Sequence, residues 1–130
     1  FIDGKVESKV TIMHLDVDNL TSRGETASPY EISSLMFKLY AKMSEFFLTK
    51  KALSFFMGGD NFMVVANSNH RESAEEFIDI IKNELGIELN CGIGTGKTAR
   101  NAVKLATKSL DTIREIRDSG KEKPEIYELT

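Results

Sequence analysis

Cysteine is almost missing from this chain. Cys91 stands alone among 130 residues, which excludes an internal disulfide, and with only two histidines besides it no zinc-ligand set can be assembled. A surplus of positive charge is missing too. Seventeen Lys and Arg against 20 Asp and Glu leave a formal charge of −3, so there is no general electrostatic reason to bind nucleic acid or an anionic membrane. A polyphosphate ligand would have to be met by local groups. No apolar run approaches the roughly 20 residues of a membrane span, and the opening Phe1-Ile2-Asp3-Gly4 has neither the basic nor the apolar region of a signal peptide. The cytoplasm is the expected compartment. Because the sequence does not begin with Met, a piece of a longer chain is expected.

What is present suffices for one ordinary domain over residues 1-130. Hydrophobic residues make up 41% of the chain, enough for a core without metal or disulfide staples. Residues 9–15 are β-rich and run into Asp16-Val17-Asp18-Asn19, the pattern of a buried strand ending at a polar loop. After a Gly/Ser/Pro loop over 23–29, Ile32, Leu35, Met36, Leu39, Met43, Phe46 and Phe47 recur at helical spacing to about Leu48, and their Met and Phe side chains read as core. Two short apolar runs, 52–57 and 62–66, flank Gly58-Gly59-Asp60-Asn61, a hairpin signal with Asp60 at its tip. A helix is predicted from about Glu72 to Gly86, a strand over 87–93, a helix from Thr98 to about Asp118 and a last strand over 125–129.

The order β-α-β-β-α-β-α-β contains the split βαβ, or ferredoxin-like, arrangement in its first six elements. The predicted fold class is therefore α+β: an antiparallel sheet with the helices of the ferredoxin-like unit on one face, extended by a further αβ. Right-handed crossovers place the first strand beside the central hairpin. Asp16 and the Asp60 turn should then meet at one sheet edge.

Two carboxylates at such an edge suit Mg²⁺, which takes hard oxygen ligands, one or two of them carboxylates, and fills its other positions with water and substrate phosphates. Period-two alternation puts Asp16 and Asp18 on the same side, with the carbonyl of Val17 between them as a further oxygen; Asp18 alternatively sits beyond the strand and caps the loop. Gly58 and Gly59 let the backbone turn sharply and let a phosphate or base approach. A plain turn explains Gly-Gly-Asp-Asn equally well, since all four residues favour turns.

The combination is more specific than its parts. Asp16-Val17-Asp18 after a strand, Gly58-Gly59-Asp60 on a hairpin, and the tail Cys91-Gly92-Ile93-Gly94 with Ala106, Leu110 and Arg114 resemble GGDEF-type cyclase palm domains. Gly58-Gly59-Asp60-Asn61-Phe62-Met63 looks closer still to archaeal GTP cyclohydrolase III, as do Asp18-Asn19-Leu20-Thr21, residues 52–56 and residues 104–114. The likeness spans about residues 10 to 118. It implies a Mg²⁺-dependent enzyme that opens the guanine imidazole ring of GTP, retaining the formyl group, and cleaves the polyphosphate. The family joins two related palm domains in one chain, and this sequence matches one of them, the C-terminal half; a second palm domain or a homo-oligomer is the implied protein partner.

Carried over by position, the resemblance makes Asp16, Asp60 and Asn61 the expected catalytic residues, with Asp16, Val17 and Asp60 holding Mg²⁺. Backbone amides around Asn19, Leu20 and Thr21 would receive phosphate oxygens, beside Gly58 and Gly59. Arg114 falls where GGDEF-type domains place a phosphate-binding Lys, and Lys108 is a weaker candidate; for both, a solvated helix face is the alternative. GGDEF-type cyclases carry an acid where this chain has Asn61, which disfavours a two-metal dinucleotide cyclase. Two other readings stay open: a non-catalytic nucleotide-binding or assembly module, and a diguanylate cyclase-like nucleotidyl transferase.

Gly92-Ile93-Gly94-Thr95-Gly96-Lys97-Thr98 imitates a P-loop, but the motif needs Gly where Cys91 stands. Its glycines are read as letting the strand end pass close to the hairpin, and Lys97 as a residue able to touch a phosphate. His14 reads as a satisfied sheet-face histidine, His70 as a solvated loop residue, and Cys91 as a small buried hydrophobe.

Overall fold

The computed structural model describes residues 8–18, 28–66 and 69–130. Its elements follow the expected order: β1 (Val10–Val17), α1 (Pro29–Thr49), β2 (Leu53–Gly58), β3 (Asn61–Ala66), α2 (His70–Leu85), β4 (Leu89–Gly96), α3 (Ala99–Asp118) and β5 (Ile126–Leu129). They form one sheet ordered β2-β3-β1-β4-β5. Every pairing is antiparallel except β4 with β5, which are parallel, as strands joined through a crossover helix can be.

Local chemistry sets the element ends. Ser28 caps α1: its hydroxyl accepts from the Glu31 N–H while the Glu31 carboxylate accepts from the Ser28 N–H, with Pro29 beginning the helix. At the other end of the next helix, α2 stops at Gly86, which adopts φ 66°. The β2–β3 hairpin turns through Gly58 and Gly59, at φ 96° and 59°, where a side chain would be strained.

The sheet divides two apolar layers. Met13, Leu15 and Val17 of β1, with Phe62, Val64, Leu89, Cys91 and Ile93, pack against α1 and α2 through Leu39, Met43, Phe47, Phe77 and Ile81. The helices of the ferredoxin-like unit thus share one face, and the third helix takes the other. There Ile12 meets Ala102 and Ala106 of α3. The larger layer is the main core, and burial of Cys91 within it pushes its thiol far above the usual range, consistent with an inert small hydrophobe.

Three sequence readings need correction. The strand expected over 87–93 starts at Leu89 and runs on to Gly96, since Gly94, Thr95 and Gly96 continue the ladder opposite Ile12, Thr11 and Val10. The glycines of that strand serve a helix, not the hairpin: a Cβ at Gly92 would strike the α3 backbone at Ala106 and Leu110, and one at Gly94 would strike it at Ala102 and Ala106. Finally, His70 is the first residue of α2 and lies with Nε2 2.9 Å from Glu128 Oε2 of β5, beside an Arg71 to Glu128 contact of 3.2 Å.

Gly94→Ala should therefore be severe, because the added methyl meets backbone that cannot rotate away. A loss of about 3 kcal/mol is expected from overpacking, against about 1 kcal/mol for Gly59→Ala, where only the positive φ is strained. Urea unfolding of both variants checks this, and a Gly94→Ala midpoint equal to wild type would contradict the packing described.

Candidate functional site

Alternation along β1 sends Met13, Leu15 and Val17 into the main core, and Ile12, His14 and Asp16 toward α3. Asp16, only 4% exposed, ends this second row. Its Oδ1 accepts from Asn90 Nδ2 at 3.0 Å, Asn90 being its register partner on β4. Its Oδ2 accepts from Arg114 Nε at 3.0 Å and Nη2 at 2.5 Å. Arg114 also donates to Asp111 Oδ1 at 3.1 Å, and the two acids outweigh burial and raise its already high pKa. So the carboxylate expected to hold a metal and the cation expected to hold a phosphate are bound to each other.

Asp18 repeats the arrangement two residues on. Its N–H bonds Glu88 O at 2.8 Å just past the end of β1, and its carboxylate shares Asn90 with Asp16. Oδ1 faces Arg117 Nη1 at 3.2 Å and Asn90 Nδ2 at 3.4 Å, and Lys123 Nζ stands 3.4 Å from Oδ2. Burial alone would raise the Asp18 carboxyl, but the Lys123 charge and the hydrogen bonds from Arg117, Asn90 and Lys123 hold it below the usual carboxylate range. Asn90 bridges both acids, and its Oδ1 in turn accepts from Lys123 at 2.6 Å.

The hairpin closes the third side. Asp60 Oδ2 accepts the Val17 N–H at 3.3 Å, which anchors the turn to the end of β1 beside Asp16. Asn61 Oδ1 lies 3.3 Å from His14 Nε2, and the other ring nitrogen lies 3.3 Å from Thr107 Oγ1 of α3. Burial, reinforced by the Arg114 charge, holds the His14 imidazole below its usual range despite the bond to Asn61, so the ring is neutral at pH 7. With its oxygen turned to His14, Asn61 leaves Nδ2 on the Gly59 side of the turn.

Asp16, Asp60, Asn61 and Arg114 therefore come together at one sheet end, with Gly58 and Gly59 exposed at its rim. Lys108 is exposed on α3 and enters no ion pair among the described residues. Asn19, Leu20 and Thr21 lie outside the described residues. Lys97 does not reach this site: it follows Gly96, which pairs with Val10 at the far end of β1, six residues or roughly 20 Å from Asp16. Sequence reasoning missed Asn90, Arg117, Lys123 and Thr107. Asn90 offered one signal, a polar residue at an apolar strand's start; Arg114 and Arg117, three residues apart and so on one helix face, offered another, since Asp16 and Asp18 share one strand face two residues apart.

As a donor set, Asp16, Asp60 and the Val17 carbonyl fit Mg²⁺ in kind, being hard oxygens at the junction of strand and turn. Among the described residues no group of three or more His, Cys, Asp or Glu side chains stands gathered for a metal, so such an ion would draw its other ligands from water or substrate. Asp16 in addition would have to part from Arg114.

The architecture is that of the nucleotide-cyclase palm. A diguanylate cyclase/phosphodiesterase from Caldicellulosiruptor saccharolyticus superposes with a TM-score of 0.68 at 17% identity, covering 92% of this chain and 76% of that one. The guanylyl cyclase domain of a fusion protein from Blastocladiella emersonii does so with 0.63 at 18% identity, covering 82% and 76%. Sequence narrows the class further. The model of the GTP cyclohydrolase III family matches residues 2–125, and the chain belongs to that family. It is 35% identical over 121 residues to a GTP cyclohydrolase III of Methanococcus maripaludis, and 39% identical over 113 residues to that of Methanocaldococcus jannaschii. These alignments cover 92% and 84% of this chain but 44% and 41% of the relatives, so the chain spans less than half the length of either.

Because the Asp18 carboxyl is depressed, its contribution to stability is complete above the unfolded carboxylate range and disappears as pH falls through the lower folded value. Asp18→Asn should be less stable than wild type at pH 6, and the gap should narrow as pH falls below the ordinary carboxylate range. Urea midpoints across that range would show it; a gap independent of pH would contradict the assignment.

Proposed function

We propose that this domain binds GTP with Mg²⁺ at the end of β1 and contributes to a GTP cyclohydrolase reaction, opening the guanine imidazole ring to a formylamino-pyrimidine ribonucleotide monophosphate with release of phosphate. The observation that carries the reading is the meeting of Asp16 with Asp60 and Asn61 where a strand end abuts a side-chain-free turn. Membership of the GTP cyclohydrolase III family supports the substrate, and a guanylate cyclase domain from Catenaria anguillulae solved with GTP shares the fold, with a TM-score of 0.57 at 20% identity over 69% of this chain and 57% of that one.

In this reading each residue has a chemical task. Asp16 and Asp60 provide the carboxylates, and Gly58 and Gly59 leave room above the turn for a phosphate or base. Neutral His14 fixes the Asn61 amide, whose nitrogen then offers donors to the ligand. Arg114 offers a two-pronged grip on phosphate oxygens. Bound there, Mg²⁺ would neutralise phosphate charge and lower the pKa of an attacking water. The enzyme would work in the cytoplasm, where GTP is supplied.

A second reading is favoured by the span of the chain, which is less than half of its relatives: the domain binds the nucleotide, and a second palm domain or a second copy completes the catalytic centre. Incubating the chain, and separately the full-length protein, with GTP and Mg²⁺ while following the guanine ultraviolet band and phosphate release decides between them. Ring opening by the full-length protein is expected, with Asp60→Ala lowering it at least about 10-fold, as loss of a direct ligand should cost no less than loss of an outer-shell partner. GTP bound but unchanged by the chain alone would establish the second reading. A cyclic dinucleotide with pyrophosphate and no ring-opened product would overturn both.

A further inference from the structure

We propose that Arg114 is the resident counter-ion of the metal site, surrendering Asp16 only when a nucleotide arrives with its own divalent cation, so that metal and nucleotide enter together. The proposal rests on the reading of Asp16 as a metal ligand. It explains why the two groups that reading needs are spent on each other here.

Asp16 is buried, and a buried carboxylate without a partner is costly. Arg114 meets that need by placing two donors on one oxygen, at 3.0 and 2.5 Å, while Asn90 occupies the other at 3.0 Å. Neither oxygen is idle. A divalent cation approaching Oδ2 would stand beside the guanidinium, and two like charges at that range repel strongly in a half-buried site. Metal alone therefore has to break the ion pair and leave the displaced arginine with only the exposed Asp111.

A nucleotide changes that balance. Its phosphates bring negative charge that accepts a guanidinium through two parallel hydrogen bonds, so Arg114 exchanges one oxyanion for another while the cation takes its place on Asp16. The arm is suited to the move: its side chain is 34% exposed, in contrast to 6% for that of Asp16. Asp111 lies 3.1 Å from Nη1 and keeps the guanidinium near the site when Asp16 lets go. Asp60 meanwhile enters no ion pair among the described residues and accepts only the Val17 N–H there. One carboxylate of the pair is held shut and the other is open. The coupling is reciprocal: whatever metal gains from nucleotide, nucleotide gains from metal.

The second acid offers an internal control. Asp18 is held by Arg117 and Lys123, neither of which touches Asp16. Removing Arg117 should leave the entry of metal at Asp16 as it is.

Mn²⁺ uptake by the purified protein at pH 7.5, read by the loss of the free-ion paramagnetic resonance signal, tests this without reference to turnover. Arg114→Gln should bind Mn²⁺ alone about tenfold more tightly than wild type, the equivalent of one charge-assisted hydrogen bond no longer competing, and should bind GTP with Mn²⁺ about tenfold more weakly. Arg114→Lys, which keeps the charge and loses the fork, should fall between, and it serves if the Gln variant does not fold. Arg117→Gln should match wild type. An Arg114→Gln protein that binds Mn²⁺ alone no more tightly than wild type would overturn the role of Arg114, provided wild type takes up Mn²⁺ with GTP and Asp60→Asn abolishes that uptake. If wild type takes up no Mn²⁺ even with GTP, the metal reading of the site falls and this proposal falls with it.

Discussion

The backbone of α3 comes down onto β4 because Gly92 and Gly94 put nothing in its way, and Ala102 and Ala106 meet them with the smallest side chains available to a good helix former. That approach sets the height of the helix above the sheet. Once fixed, it carries Arg114 and Arg117 over the end of β1, where Asp16 and Asp18 project on the same side. It also carries Thr107 to His14 and Ser109 to the Ile93 carbonyl, at 3.3 and 3.0 Å. A bulkier β4 would lift all four contacts together. The polar end of the sheet is thus a consequence of a packing solution in its middle.

Charge balance then decides what that polar end does. Two nearly buried acids need cations, and the chain supplies three from a single stretch, Arg114, Arg117 and Lys123, with Asn90 reaching across both acids. Asp18 is enclosed by two of them and by Asn90, which suits a structural clamp joining β1, α3 and the segment before β5. Asp16 has one cation, and that cation sits on a long, partly exposed arm. The two acids share a residue type and a strand face, yet their surroundings assign them different work.

Much of this was legible in the residues. The element order followed from apolar periodicity and from Gly86 and the Gly58-Gly59 turn, and the meeting of Asp16 with Asp60 followed from topology alone. The nearness of Asp60 to the end of β1 was legible, and Asn61 and Arg114, named from the family resemblance, stand beside that end. The internal pairing of the site was not. A single sequence shows which charges are present but not that Arg114 on α3 would reach Asp16, 98 positions earlier, because that distance depends on how closely α3 can pack. The glycines of β4 held that information and were misread, as strand glycines serve helices, hairpins and bulges alike. His70 was misread for a similar reason: its partner Glu128 lies 58 positions away on the last strand.

In the proposed cycle Asp16 is shared in time between an arginine and a metal. A crystal structure of the protein with GTP and Mg²⁺ tests it most directly. Asp16 and Asp60 should face one metal ion there, with Arg114 detached from Asp16 and its guanidinium on a phosphate oxygen. An intact Asp16–Arg114 ion pair beside a bound nucleotide whose metal is held by other residues would contradict it.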